Sequence, residues 1–198
     1  MPKLINHTER KQAIAHAVWA ILSREGVRNV SVRTVAAEAK ISTGSLRHVF
    51  PSHEEMMLYS LDYLGKKFIS SLSQKSFQGP LLAQFEDMFT YLTPLSEEGN
   101  LFATVAAGFL SELTKIPEAS KILQNHQTDF RYAYGFLLTQ LRAQGYLKEE
   151  VVIEEEIDQL LALLWGISCI HLQTDGALDR QELVDPMTQH FNAILTSP

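Results

Sequence analysis

Residues 31–53, SVRTVAAEAKISTGSLRHVFPSH, read as two short helices joined by a tight polar turn. Ser31 suits an N-cap, because a hydroxyl there accepts from an N–H group that the first helical turn leaves unpaired, and Val32, Val35, Ala36 and Ala39 then share one face. Ser42 opens a second helix in the same way, with Leu46, Val49 and Phe50 as its apolar positions. Pro51 stops it. Two helices so spaced have the pattern of a DNA-binding helix-turn-helix.

On the N-terminal side, Ala13, Ile14, Ala17, Val18, Ile21 and Leu22 form the apolar stripe of a helix from about Glu9 to Arg24, which Gly26 closes. On the C-terminal side, Ser52-His53-Glu54-Glu55 has capping-box spacing and opens a longer helix through Met56, Met57, Tyr59, Leu61 and Leu64 towards Leu72. The expected division is therefore a three-helix head over 1–51 and a body over 52–198, with 52–75 as the connecting helix.

The body keeps a helical period throughout. Gly79 and Pro80 mark a break before a helix from about Pro80 to Leu92; Pro94, Gly99 and Asn100 separate that from a helix of about Leu101 to Thr114. Pro117 starts a long helix that Gly145 ends after Gln144. Residues from about Ile153 to Gln173 are apolar almost all round, so this helix needs two partners, and a last helix is expected from about Pro186 to Leu195. Those partners are either all within one chain or include a second copy, and a homodimer through the last two helices is the natural cover. No run alternates as a strand does, so the fold class is all-α.

The 198 residues, 45% hydrophobic, suffice for a sizeable core, and the single Cys169 leaves no internal disulfide framework. The polar start MPKLINHTERKQ has no apolar signal core and no run reaches a membrane span, so a soluble, cytoplasmic protein is expected. The net charge of −6 is unevenly spread. Residues 1–50 hold eight Lys or Arg against Glu9, Glu25 and Glu38, a net of +5, which leaves −11 on the remainder. A basic head on an acidic body suits phosphate binding by one end. The seven histidines show no metal-ligand spacing, and no phosphate loop or nucleophile elbow is present, so neither an enzyme nor a bound cofactor or metal is expected.

Residues 10–64, about a quarter of the chain, resemble the DNA-binding region of the tetracycline-repressor (TetR/AcrR) family. The resemblance rests on Arg24-Glu25-Gly26-Val27, Val30-Ser31-Val32-Arg33, Ile41-Ser42-Thr43-Gly44-Ser45-Leu46, His48-Val49-Phe50-Pro51-Ser52 and Glu54-Glu55-Met56, in that order. It implies about nine helices, with a helix-turn-helix head and a ligand-binding and dimerisation body. It also implies a homodimer that binds a palindromic double-stranded DNA operator as a repressor, and a small-molecule effector that releases it. A regulator controlled by a protein partner, or an activator, is the alternative.

Two positions depart from that family's pattern: Arg47 stands where tyrosine is common, and His53 where a lysine usually opens the fourth helix. The expected DNA-contacting residues are Thr43, Gly44, Ser45, Arg47 and His48 on the second helix of the motif, Ser31, Arg33 and Thr34 at the start of the first, and His53. For a ligand pocket, Phe85, Met88, Phe89, Phe102, Phe109, Phe130, Tyr134, Trp165 and Cys169 lie on helices that this architecture brings together. His126, Asp129 and His171 are the polar candidates beside them. An aromatic at helical spacing is more often plain core, and nothing in the sequence selects a cationic effector over a fatty, phenolic or drug-like one.

Overall fold

The computed structural model describes residues 7–75, 80–113, 116–174 and 179–196, with the side chains of 73, 82, 85, 111–113 and 180 outside that description. Among these residues the chain is all-α. The helices are α1 (His7–Glu25), α2 (Val32–Glu38), α3 (Thr43–Val49), α4 (His53–Gln74), α5 (Leu81–Leu92), α6 (Glu97–Leu113), α7 (Pro117–Ala143), α8 (Ile153–Gln173) and α9 (Arg180–Ile194). A single 3-10 turn (Val27–Asn29) lies between α1 and α2.

The caps explain most of these boundaries. Gly26 and Gly145 both take positive φ, 80° and 78°, as residues that end a helix in the left-handed region do. Ser31 and Ser42 cap α2 and α3, and the Ser52 hydroxyl accepts from the Glu55 N–H at 3.0 Å to start α4. Lys40 closes α2 at φ 56°, where the Ile41 N–H donates to the Ala36 carbonyl and the Lys40 N–H to that of Ala37. This is a Schellman end built on a lysine instead of a glycine.

Two helices begin earlier than their sequence punctuation suggests. Helix α6 starts at Glu97, not at Leu101, because the Ser96 hydroxyl caps it by accepting from the Gly99 N–H at 2.8 Å. Gly99 is thus inside the first turn, where a Cβ would lie 2.0 Å from the Thr93 carbonyl oxygen; close approach, not a chain break, requires glycine. Helix α9 starts at Arg180, not at Pro186. Asp179 and Glu182 form a reciprocal capping box, and Pro186 is accommodated inside the helix.

The described residues fall into two compact units, one comprising residues up to Phe68 with Thr104–Gln124, the other Ile69–Ala103 with Asn125 onward. Helices α4, α6 and α7 thus each contribute to both. In the first unit α1 buries Ile14, Ala15, Ala17, Val18, Trp19, Ile21 and Leu22. Ala13, placed in the stripe by spacing, is exposed. Val35, Ala36, Leu46, Val49, Phe50, Met56, Met57 and Leu61 complete the head's interior.

In the second unit Phe89, Tyr134, Leu138, Leu141 and Leu160 are fully buried. Helix α9 adds Leu183, Met187, Phe191 and Ile194. Buried Glu156 of α8 pairs with His190 of α9, a polar contact between two helices that otherwise bury apolar side chains. The loop after α7 and the segment after α9 make an isolated bridge, Leu147 to Leu195, in which the Lys148 N–H donates to Ile194 and the Thr196 N–H to Tyr146.

Candidate nucleic-acid interface

Helix α3 buries Leu46 and Val49 and presents Thr43, Gly44, Arg47 and His48 to solvent, with Ser45 half-buried. That partition follows from spacing: 46, 49 and 50 are one face of a short helix, so 43, 44, 47 and 48 occupy the other. The Ser42 hydroxyl accepts from the Ser45 N–H at 3.0 Å, which fixes the helix start while leaving small residues at its tip. A recognition helix needs such a tip to enter a major groove closely.

The entry to α2 is tied more tightly. The Ser31 hydroxyl accepts from the Thr34 N–H at 3.2 Å, the Thr34 hydroxyl accepts from the Ser31 N–H at 2.9 Å, and that hydroxyl donates to the Asn29 carbonyl at 2.7 Å. The polar atoms of Ser31 and Thr34 are therefore occupied in holding the turn, whereas Arg33 between them is exposed. His53 is exposed too, but its Nε2 lies 3.1 Å from the Val30 carbonyl, so the tautomer protonated there donates to the backbone just before α2. This bond ties the start of α4 to the helix-turn-helix.

Charge in the head is not spread evenly either. Arg24 pairs with both Glu25 and Glu38, at 2.7 and 2.9 Å, which uses two of the head's acids on one cation. Arg28, Arg33, Lys40 and Arg47 are exposed and form no ion pair among the described residues. Their charge is available to an external anion.

A feature that sequence spacing did not single out lies between α1 and α4. Rings of His16, Trp19, Tyr63, Tyr59 and Phe50 follow one another with centroids 4.9, 5.3, 6.0 and 5.3 Å apart. The Trp19 indole N–H donates to the Ser60 carbonyl at 3.1 Å, and Lys11 lies over the Phe50 and Tyr59 rings. The Lys67 ammonium donates to His16 Nε2 at 3.2 Å; burial first, and that ammonium second, hold His16 below the ordinary imidazole range. The i, i+4 pair Tyr59 and Tyr63, beside the apolar stripe of α1, was the available signal.

The expected pocket residues divide between the units. Phe109 is buried in the first. In the second, Phe89 meets Tyr134 at 5.5 Å and Phe191 at 4.6 Å, and Phe102 meets Phe130 at 5.7 Å. Met88 is buried and Cys169 is half-buried, while Trp165 is 41% exposed on α8. The side chain of Phe85 lies outside the described residues. Phe191, on α9, joins the cluster without having been expected there. The Tyr134 hydroxyl is fully buried with no hydrogen-bond partner among the described residues, and burial pushes its ionisation well above the usual phenol range. Of the polar candidates, His126 is buried, His171 half-buried and Asp129 exposed. Among the described residues no group of His, Cys, Asp or Glu could hold a metal ion, and no helix is long and apolar enough to cross a membrane.

Comparison with known proteins bears on the head and the body separately. Residues 14–59 match the family described as bacterial regulatory proteins, tetR family. The chain is 36% identical over 67 residues to the HTH-type transcriptional regulator PksA of Bacillus subtilis (strain 168), covering 34% of this chain and 33% of that protein. It is 29% identical over 68 residues to the HTH-type nicotine-responsive transcriptional repressor HdnoR of Paenarthrobacter nicotinovorans, covering 34% and 35%. The matched stretch thus spans about a third of the length of each curated relative. Over 96% of its length the chain shares its fold with a TetR transcription regulator from Haloarcula marismortui ATCC 43049, with TM-score 0.81 and 17% identity over all of that chain. The helix-turn-helix is thus matched in sequence to the tetR family of bacterial regulatory proteins, and the whole helical course is matched in fold to a regulator of that name.

Proposed function

We propose that the protein is a cytoplasmic transcriptional repressor that binds a palindromic operator as a homodimer and is released by a small molecule. The head, residues 1–51, reads DNA and the body, 52–198, binds the effector and dimerises. The observation that carries the reading is the exposed outer face of α3, Thr43, Gly44, Arg47 and His48, in a head whose Arg28, Arg33 and Lys40 are also exposed and form no ion pair among the described residues. Arg47 supplies a planar, bidentate donor that reads a guanine edge or grips a phosphate, and Arg33 binds the phosphate backbone. Ser31, Thr34 and His53 position these groups, because their own polar atoms are engaged in the turn and at Val30.

Dimerisation through α8 and α9 is supported by Trp165 and Ile170, which α8 leaves 41% and 53% exposed. Release is supported by the nicotine-responsive repressor named among the relatives, and in this chain by the enclosed aromatic cluster around Phe89 and Tyr134. Switching from nearly bound to nearly free requires the effector to prefer the released shape by about 5 kcal/mol. The connecting helix α4 is the lever.

Selection of bound sequences from a random DNA pool by the purified protein tests this. Enrichment of a palindrome whose half-sites lie about one helical turn or a multiple apart is expected. Failure to enrich any sequence at low salt sinks the reading.

A further inference from the structure

An open groove of about 690 Å³ lies in the second unit between the end of α4, α5 and α7. Its walls are apolar, built largely from Ile69, Leu72, Met88 and Leu137. Two aromatic residues at its edge, Tyr132 and Phe136, are 79% and 60% exposed, one turn apart on α7. Large rings left this open beside an apolar trough mark a surface that has something to cover it.

Among the described residues two charged ones line the groove, and they are not equivalent. Lys75 has its ammonium 4.3 Å from the centre of the Tyr91 ring, so its charge is already held by a π face. Asp129 is exposed, sits three residues before Tyr132 and seven before Phe136 on the same side of α7, and forms no ion pair or hydrogen bond among the described residues. A carboxylate awaiting a counter-charge next to two open aromatic faces complements a cation carried on an apolar body. A carboxylate-bearing ligand would meet Asp129 as a like charge.

We infer that this groove binds a small organic cation, a substituted ammonium with an alkyl or aryl body, its charge on Asp129 and the rings of Tyr132 and Phe136. The groove shares Met88 and Asp129 with the expected effector pocket, so the inference rests on that reading and names the chemical class of its ligand, while its test needs neither operator nor effector release.

Calorimetric titration of the full-length protein at low salt, with octyltrimethylammonium, octanol and octanoate as probes of equal tail length, separates the contributions. The cation is expected to bind about tenfold tighter than octanol, and octanoate most weakly. Asp129→Asn should remove most of the cation's preference over octanol, the remainder being held by the rings, while leaving octanol binding unchanged, which also shows that the variant is folded. Tyr132→Ala with Phe136→Ala should weaken all three probes. Octanoate equal to or tighter than the cation, or a cation affinity indifferent to Asp129→Asn, overturns the inference.

Discussion

In the helix-turn-helix the polar side chains work at helix ends and on the outer face: Ser31, Ser42 and Ser52 cap, while Arg33, Arg47 and His48 point to solvent. In the second unit the notable polar groups are inside, where Glu156 meets His190 and the Tyr134 hydroxyl is buried with no hydrogen-bond partner among the described residues. The difference teaches where each region is sensitive. Substitutions on the head's outer face should alter what the protein holds with little cost to folding, whereas the same change of charge inside the body should alter whether it folds.

The largest effect expected from this contrast is in the body. His190→Ala leaves the Glu156 carboxylate buried without its partner and should cost about 3 kcal/mol, because an uncompensated buried charge is worse than no charge. Urea unfolding followed by circular dichroism measures it; an unchanged midpoint would mean that water reaches Glu156 and that the contrast is weaker than drawn. Next is Arg47→Ala in the head, expected to weaken operator binding by about 1–3 kcal/mol, roughly five- to 150-fold, at unchanged thermal midpoint. Unchanged affinity in a gel-shift titration removes Arg47 from the interface. The smallest is Lys40→Gly. Relieving a lysine at φ 56° should stabilise the head by about 1 kcal/mol, seen as a raised midpoint.

The head was legible because its geometry is made by short-range chemistry. A serine, a three-residue offset and an apolar face determine α2 and α3 locally, so Ser31 and Ser42 cap where their spacing placed them. The exposed positions of α3 follow from the same spacing. What each polar side chain binds was not legible. Ser31, Thr34 and His53 share the turn with Arg33, yet only three-dimensional proximity reveals that His53 reaches Val30, 23 residues away in sequence. In the body, punctuation misled where an upstream cap overrode it: Ser96 opens α6 ahead of Gly99, and the Asp179–Glu182 box opens α9 ahead of Pro186. The groove was legible only in part: Met88 and Asp129 were among the pocket candidates, but Tyr132 and Phe136 are ordinary members of a long amphipathic helix until their exposure is known.

The ring stack between α1 and α4 also makes the head observable. The chain has two tryptophans, Trp19, buried against Tyr63 at 5.3 Å, and Trp165, 41% exposed. Replacing Trp165 by phenylalanine leaves a single indole emitter whose N–H is bonded to the backbone of α4 and whose ring neighbours His16. Its fluorescence then reports the seating of the connecting helix on the head, without a dye or label.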